Sequence, residues 1–259
     1  MIGSFKQESP NSYRCNFGPG YGDIMKPLAA CQHFAHIHDT NIMLNFYTNL
    51  ALDKKIKDSD PETIEERFFY IYDNLKDNRI TCNFYKTADC GCHHHICNIV
   101  SPEPQWWFND MWNTTTPKTC ITVQINEPAL LSKFDSNKIA HTWRVNFRWN
   151  EIIDYLAMYN LPIVLLDYTL PISQVHQTLL QSAFHVGYSG SSTHLAFAVG
   201  TPVILISDLK EVATRAHSCG YSAFSVQEFL TTNFNINSII RDCVSSTDQQ
   251  MQKYSLERK

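Results

Sequence analysis

Short apolar runs alternate with amphipathic stretches through the second half of the chain. The pattern predicts strands at residues 119–125, 161–167, 184–187 and 202–207 and helices at residues 149–159, 172–183 and 191–200. The runs LPIVLLD (161–167) and PVILIS (202–207) are apolar almost throughout, which is typical of parallel strands covered on both faces. Residues 227–259 are polar and mainly helical in pattern. This order of elements predicts a doubly wound α/β domain.

The first half shows a weaker version of the same alternation. Residues 12–17 (SYRCNF) predict a strand, the glycine-rich GPGYG (18–22) a turn, and residues 23–38 a helix. Extended runs at 41–48 and 79–85 surround a helix predicted over 61–77, which starts with proline and has acids in its first turn. A further strand is predicted at HHHICNIV (93–100). We therefore expect two α/β domains, residues 1–117 and 118–259.

Length and composition fit this organisation. A chain of 259 residues exceeds the usual size of one compact domain, and 44% hydrophobic against 18% charged residues is typical of a globular protein. No window has the apolar length of a membrane span or a signal core, so we expect a cytoplasmic protein without a membrane span. Nine cysteines, an odd number spread along the chain, are expected to be mostly reduced.

Charge weighs against a general nucleic-acid binder. The formal net charge is -4, and residues 1–117 contain 10 Lys and Arg against 14 Asp and Glu, whereas residues 118–259 contain 11 against 11. A nucleic-acid binder usually shows a basic surface, so contact with DNA would need a local patch.

The segment GYSGSSTHLAFAVGTPVILIS (187–207) carries the most specific chemistry. A strand is predicted to end at Gly187, a turn of small residues follows, and a helix is predicted to begin near Ser192. Free backbone N–H groups and the positive end of the helix dipole together form an anion site, for which phosphate is the natural ligand. Gly190 permits close backbone approach, and hydroxyls can add hydrogen bonds from Ser189, Ser191, Ser192 and Thr193. An ordinary helix N-cap is the alternative interpretation.

This segment resembles the donor site of glycosyltransferases of the bacterial heptosyltransferase type. Those enzymes have a strand, a small-residue turn, His-Leu-Ala, an apolar helix, Gly-x-Pro and a final strand, matched here by His194, Leu195, Ala196, Gly200, Thr201 and Pro202. The resemblance implies a GT-B fold, in which two Rossmann-like domains face a cleft. That family has a sugar-contacting acid five residues before the histidine, where this chain has Ser189, so a heptose donor is not expected.

The first strand-to-helix turn, GPGYGD, is similar to the acceptor side of the same family. The resemblance implies that Asp23 is the catalytic base, with Gly20, Tyr21 and Gly22 beside the acceptor. A carboxylate suits this role because an acceptor hydroxyl is a weak nucleophile that must lose its proton as the new bond forms. An aspartate that only caps the helix is the alternative.

Three other clusters are candidate sites. In the loop of residues 126–148, Arg144, Arg148 and Lys138 are predicted to bind a diphosphate, with Lys133 a weaker candidate, and a solvated loop is the alternative. The run ADCGCHHHICN could hold zinc through Cys90, Cys92 and His93 to Cys97, but adjacent ligands do not easily converge on one metal, so no metal is expected. The cluster Trp106, Trp107, Phe108 and Trp112 could stack on a sugar or a base, and a core plug is the alternative.

These features together predict an inverting, metal-independent glycosyltransferase that needs no cofactor and uses a nucleotide sugar, with UDP-sugar favoured. The aromatic and basic run HTWRVNFRW favours a DNA acceptor, as in tailed-phage enzymes that glycosylate 5-hydroxymethylcytosine, which would place the protein in the host cytoplasm. Transfer to a glycan or lipopolysaccharide, a non-catalytic nucleotide-sugar-binding module and a sugar-nucleotide epimerase are the alternatives. We expect a monomer.

Overall fold

The computed structural model describes residues 4–17, 24–25, 28, 31, 35, 38–48, 63–74, 79–85, 116–124, 149–166, 170–188, 190–207 and 222–231. The chain divides into two compact units. The first contains Met1–Trp112, Pro171–Ser173 and Gln250–Lys259, and the second contains Asn113–Leu170 and Gln174–Gln249. The domain boundary after residue 117 and the GT-B arrangement of two domains around a cleft stay predictions.

The first unit contains a sheet with the strand order β1-β2-β3-β4. Its strands are β1 (Ser4–Ser9), β2 (Ser12–Phe17), β3 (Ile42–Thr48) and β4 (Ile80–Tyr85). The strands β2, β3 and β4 run parallel, whereas β1 pairs antiparallel with β2 through a tight turn in which Asn11 has φ 64°. The pattern had not predicted β1, because SFKQES has no apolar alternation and joins the sheet through its ladder to β2.

Helix α1 packs against the apolar side of this sheet. This helix (Ile64–Asp73) begins with a capping box, in which the Thr63 side chain accepts from the Glu66 N–H and the Glu66 carboxylate accepts from the Thr63 N–H. It buries Phe68, whose ring centroid lies 4.6 Å from that of Phe46 on β3 and 5.2 Å from that of Phe84 on β4. The helix predicted over 23–38 is confirmed at five described positions, which are helical and buried: Ile24, Met25, Leu28, Cys31 and Ala35. At the end of the predicted range, His38 lies in a turn.

The second unit contains a parallel sheet with the order β6-β5-β7-β8-β9. Its strands are β5 (Cys120–Gln124), β6 (Ile163–Leu166), β7 (Ser182–Gly187), β8 (Val203–Ile206) and β9 (Ser222–Phe224). Numbered along this unit, the order is 2-1-3-4-5, the flavodoxin-like doubly wound order. The predicted α/β class with parallel strands is confirmed.

The helices of the second unit are α2 (Trp149–Leu156), α4 (Ser191–Ala198), α5 (Val226–Thr231) and α3 (Ile172–Leu180), of which the residues from Gln174 onward belong to this unit. A 3-10 turn, Ala157–Tyr159, continues α2. On one face of the sheet, Ile152 and Leu156 of α2 and Phe229 of α5 pack against alternate residues of the central strands, including Val123, Val186 and Ile204. After α4, Gly200 has φ 75° and Thr201 N–H donates to the Ala196 carbonyl, which ends the helix.

One prediction for this sheet was wrong. The run 161–167 was expected to be covered on both faces, but β6 is the edge strand and pairs only with β5 among the described strands. Leu165 is therefore 41% exposed, and Ile163 and Val164 are half-buried. An apolar run indicates burial of a strand but does not fix its place in the sheet. In the part of the chain that the structure describes, no helix has the length and apolar character to cross a membrane.

Candidate functional site

The strand order of the second sheet reverses between β5 and β7. From β5 the chain continues to β6 on one side, and from β7 it continues to β8 on the other. In open parallel sheets a crevice opens at the carboxyl ends of strands where the order reverses, and ligands bind there. Gln124 is the last residue of β5 and Gly187 is the last residue of β7. These two residues therefore mark the expected ligand position.

Helix α4 begins beside this crevice. It starts at Ser191, and its first backbone hydrogen bond joins the N–H of His194 to the carbonyl of Gly190 at 3.2 Å. The N–H groups of the first helical turn precede that bond, so the helix itself supplies no acceptors for them. Together with the helix dipole they favour an anion at the switch point.

The described residues of the predicted donor segment differ in their burial. Gly190 and His194 are half-buried, and Ser192 is buried. Thr193 is completely buried, and its hydroxyl lies 2.7 Å from the Tyr188 carbonyl and 3.1 Å from Oε1 of Gln124. This hydroxyl bonds to protein atoms and ties the start of α4 to the ends of β5 and β7.

A chain of buried polar groups leads from the interior of the sheet to Thr193. The Ser182 hydroxyl donates to the Phe184 carbonyl at 2.5 Å, so it accepts from the Thr122 hydroxyl at 2.9 Å. Thr122 Oγ1 then accepts from Nδ1 of His185 at 3.0 Å. The bonding pattern assigns the Nδ1–H tautomer to His185, whose Nε2 faces Thr193 Oγ1 at 3.5 Å.

His185 is neutral inside this network. Complete burial lowers the pKa of His185 from 6.5 to about 3, because a charged imidazolium would lose its hydration there. The uncharged ring can donate from Nδ1 and accept at Nε2, which fits its two neighbours. His185 is therefore a hydrogen-bonding residue beneath the site at neutral pH.

Two glycines allow the strands and the turn to meet. A Cβ on Gly187 would lie 2.8 Å from both His185 Nε2 and Thr193 Oγ1. A Cβ on Gly190 would lie 2.5 Å from Nε2 of Gln124 and 2.9 Å from the Tyr188 ring. Side chains at these positions would displace the polar groups at the end of the sheet.

The sequence pattern had missed Gln124 and His185 as members of this site. His185 lies inside the strand SAFHVG and Gln124 ends the strand CITVQ, and a large polar residue in or at the end of a mainly apolar strand was the signal available. A buried polar side chain needs partners, and His185 has one in Thr122 of β5 while Gln124 has one in Thr193 of α4.

The other predicted site residues lie outside the described residues. They are Asp23, Gly20, Tyr21, Gly22, Lys138, Arg144, Arg148 and Ser189, together with Lys133, the Cys90 to Cys97 run and the aromatic cluster. The side chain of Ser191 is also outside that set. Their roles stay predictions. Within the described ranges, no group of three or more His, Cys, Asp or Glu side chains is arranged to hold a metal ion.

Comparison with known proteins gives structural neighbours alone. No protein-family model matches the chain, and no curated protein sequence matches it. The iron-containing dodecameric glycosyltransferase TibC from enterotoxigenic E. coli H10407 matches with a TM-score of 0.43 and 15% identity, covering 75% of this chain and 56% of TibC. TibC described as a heptosyltransferase in complex with ADP-D-β-D-heptose matches with a TM-score of 0.42 and 16% identity, covering 76% and 57%. This chain thus spans little more than half of TibC, and a likeness this loose assigns no function.

Proposed function

We propose that this chain is a GT-B glycosyltransferase that moves a sugar from a nucleotide diphosphate sugar to an acceptor hydroxyl. One observation carries the proposal: the start of α4 and the ends of β5 and β7 meet at the switch point of a doubly wound sheet. Polar groups converge there, with the hydroxyl of Thr193 bonded to both strand ends. The His-Leu-Ala motif of the resembling enzymes lies in α4, and the Gly-x-Pro motif lies between α4 and β8.

The donor diphosphate would bind against the turn at Gly190 and the first turn of α4. Backbone N–H groups, Ser189, Ser191, Ser192 and His194 would supply hydrogen bonds, and Arg144, Arg148 and Lys138 would supply positive charge. In sequence these three cations lie between β5 and α2, in the segment predicted to be a loop, and the last residue of β5 lies at the switch point. Thr193 would act as a positioning residue, because its buried hydroxyl is bonded to protein. We favour a UDP-sugar as the donor.

Transfer would proceed with inversion. Asp23 would take the proton of the acceptor hydroxyl while its oxygen forms a bond to the anomeric carbon, and the bond from that carbon to the diphosphate oxygen would break. The negative charge that develops on the departing diphosphate would be stabilised by the N–H groups of α4 and by the loop cations. Because these groups can carry the charge, the proposed mechanism includes no metal.

For the acceptor, we propose the hydroxymethyl group of 5-hydroxymethylcytosine in DNA. The run HTWRVNFRW offers aromatic rings and guanidinium groups suited to stacking and to phosphate contact. The target base would have to leave the helical stack to reach the catalytic carboxylate. Ser189, which replaces the acid of the heptosyltransferase pattern, favours a hexose or pentose over a heptose.

A donor screen tests the proposal. Thermal shift with UDP-, GDP- and ADP-sugars identifies the stabilising donor, which is then incubated with hydroxymethylcytosine DNA and followed by mass spectrometry. A mass gain on DNA supports the proposed acceptor, whereas a gain only on a lipopolysaccharide or other glycan contradicts it. No stabilisation by any nucleotide sugar contradicts the donor site itself.

Replacing the proposed base separates an enzyme from a binding module. Asp23→Asn should keep donor binding and lower turnover about a hundredfold or more, since general-base catalysis is worth that much. The matched control is Asp39→Asn, which removes an exposed carboxylate that pairs with Arg79 at 2.8 Å and should change neither quantity. If wild type and Asp23→Asn are equally inactive on every acceptor but bind the donor, the chain is a non-catalytic module.

A further inference from the structure

The sheet of the first unit has one covered face and one exposed face. Strands β2, β3 and β4 are parallel and neighbour one another in chain order, so right-handed crossovers place both connecting segments on the same face. Helix α1 packs on that face, with Phe68 against Phe46 and Phe84. Burial, and after it the nearby Cys82 of β4, raises the pKa of the Cys31 thiol, which puts the helical position 31 on that face too. Both crossovers therefore cover the same face.

The opposite face of the sheet is exposed to solvent. On β3, Met43 is 38% exposed and Asn45 is half-buried, while on β4 Tyr85 is 39% exposed and Thr81 and Asn83 are exposed as well. Parallel strands are normally covered on both faces, so large exposed side chains here indicate a surface that binds a partner. We call this surface the open face. It consists of positions 43, 45 and 47 of β3, positions 81, 83 and 85 of β4 and their register partners on β1 and β2.

The strand register brings cationic, amide and aromatic residues together on the open face. Paired positions of neighbouring strands share a face of a sheet. Position 45 pairs with position 83 on one side and with position 14 on the other, and position 14 pairs with position 6. One row across the four strands therefore consists of Lys6, Arg14, Asn45 and Asn83. In the next row, Tyr47 pairs with Tyr85.

The two amides of this row are bonded to each other. Nδ2 of Asn83 donates to Oδ1 of Asn45 at 3.0 Å and lies 3.3 Å from Sδ of Met43. Carboxamides have both donors and acceptors, as do the edges of nucleic-acid bases. The open face therefore offers hydrogen-bonding groups one row away from the exposed ring of Tyr85.

The charge of the open face differs from that of the half of the chain that contains it. Residues 1–117 have 14 Asp and Glu against 10 Lys and Arg. None of the residues at the register positions of the open face is Asp or Glu, whereas Lys6 and Arg14 both belong to it. A surface with two cations and no carboxylate, in an otherwise acidic region, fits an anionic partner.

We propose that the open face binds single-stranded nucleic acid, with bases stacked on Tyr47 and Tyr85 and phosphates bound by Lys6 and Arg14. Aromatic rings on a four-stranded sheet, with cations beside them, are the combination that binds such strands. With about 4.8 Å between neighbours, the four strands span about 14 Å, which leaves room for two or three bases. The inference goes beyond the proposed function, because it uses no residue of the donor site and does not depend on sugar transfer.

The same features disfavour two other partners. A duplex keeps the faces of its bases stacked inside the helix, where an exposed tyrosine does not reach them. A neutral glycan packs on an aromatic ring, but it gives the two cations no anion to bind. A single strand offers both unstacked bases and phosphates, so it matches the rings, the amides and the charge at once.

Fluorescence anisotropy of the full chain with a labelled strand of about twelve thymidines tests the proposal. Tyr85→Ala should raise Kd about tenfold, because one stacked base is lost, whereas Tyr85→Phe keeps the ring and should bind nearly as the wild type does. The matched control is Phe69→Ala. It removes a ring of the same 39% exposure from α1, which packs on the covered face, and should leave Kd unchanged.

Charge changes test the phosphate contacts separately. Raising the salt from about 50 to about 200 mM weakens binding according to the number of phosphate contacts. In the double variant Lys6→Gln/Arg14→Gln, the slope of log K against log salt should become less steep by about 1.4, from about 0.7 for each contact with a single strand. Asn83→Asp places a carboxylate on the open face and should raise Kd. Asn160→Asp makes the same change at an exposed position of the second unit and should not.

Three results would overturn the inference. The first is a wild type that does not bind the strand at low salt. The second is equal or tighter binding of a duplex of the same length or of a neutral maltodextrin, which would assign the open face to another partner. The third is binding that neither Tyr85→Ala nor the double variant weakens, in proteins that thermal denaturation shows to be folded. None of these results affects donor binding, which the nucleotide-sugar screen measures, so the two proposals fail separately.

Discussion

Acidification is expected to destabilise the second unit through His185, a histidine that its surroundings keep neutral. The pKa of His185 is about 3 in the folded protein, because burial removes hydration from the charged ring, and 6.5 is its ordinary value. The His185 ring therefore binds a proton near pH 6.5 in the unfolded chain but only near pH 3 in the folded chain. The stabilisation is complete above pH 6.5 and is lost as the pH falls from 6.5 toward 3.

The size of this effect follows from the two pKa values. At pH 5 the unfolded state gains about 2 kcal/mol from protonation, and each further unit of acidification adds about 1.4 kcal/mol. The loss approaches about 5 kcal/mol near pH 3, which is comparable to the whole stability of many domains. Proton uptake at this one ring could thus unfold the unit that contains the candidate site.

Urea unfolding at pH 8, 7, 6 and 5 measures this contribution in wild type and in His185→Asn. Asparagine places an N–H group where Nδ1 was, so it can still donate to Thr122, but it does not titrate. Because the chain has 11 histidines and the other ten are shared by both proteins, the difference in pH slope isolates position 185. We expect His185→Asn to be less stable at pH 8 and to lose about 2 kcal/mol less than wild type between pH 8 and pH 5.

Val186→Ala is the control for a general loss of stability. It removes buried atoms from the next residue of β7 without touching a titratable group, so the variant should be less stable at every pH and keep the wild-type slope. If His185→Asn also keeps the wild-type slope, a buried neutral imidazole is not the source of the acid sensitivity, and the reasoning about this network is wrong.

Two further predictions concern the end of the sheet. Gly187→Ala should lower the free energy of unfolding by about 1–3 kcal/mol, because its Cβ would overlap the fully buried His185 and Thr193. Gly190→Ala should lower it less, because the nearest atom is the end of the Gln124 side chain, and should also weaken UDP binding, because the methyl group and the displaced Gln124 and Tyr188 atoms would crowd the turn. Equal losses of stability in the two variants, measured by urea unfolding, would contradict this contrast. Thr193→Val should cost about 1–3 kcal/mol by leaving buried acceptors without a donor, and Thr193→Ser should recover most of it. A Thr193→Val protein as stable as Thr193→Ser would show that the hydroxyl is not needed.

Periodicity located most elements of the fold because the signal for them is local. The helix at Ile64–Asp73 lies inside the predicted range 61–77, which proline at its start, acids in the first turn and apolar residues at helical spacing had indicated. The strands Ser4–Ser9 and Ser222–Phe224 were not predicted, since the first is mostly polar and the second has only three residues. Each of these strands joins its sheet by pairing with another strand, and the local sequence pattern does not show which strand that is.

The candidate site also has one part that the local sequence indicates and one part that it does not. The small-residue turn and the start of α4 follow from consecutive residues, so the sequence alone indicated an anion site at Gly190 to His194. The partner of that turn, Gln124, is 69 residues before Thr193 in the chain. A polar residue in an apolar strand signals that a partner exists, but spacing does not say which residue it is.

The sequence by itself determined the alternation of strands and helices, the parallel α/β class and the turn where an anion would bind. These features depend on interactions between residues close in the chain and on which side of an element is apolar. The tertiary structure decided that β6 lies at the edge, that the strand order reverses between β5 and β7, and that Gln124, His185 and Thr193 meet at that point. Strand order and burial of polar partners are fixed by packing between distant segments, which no local pattern encodes.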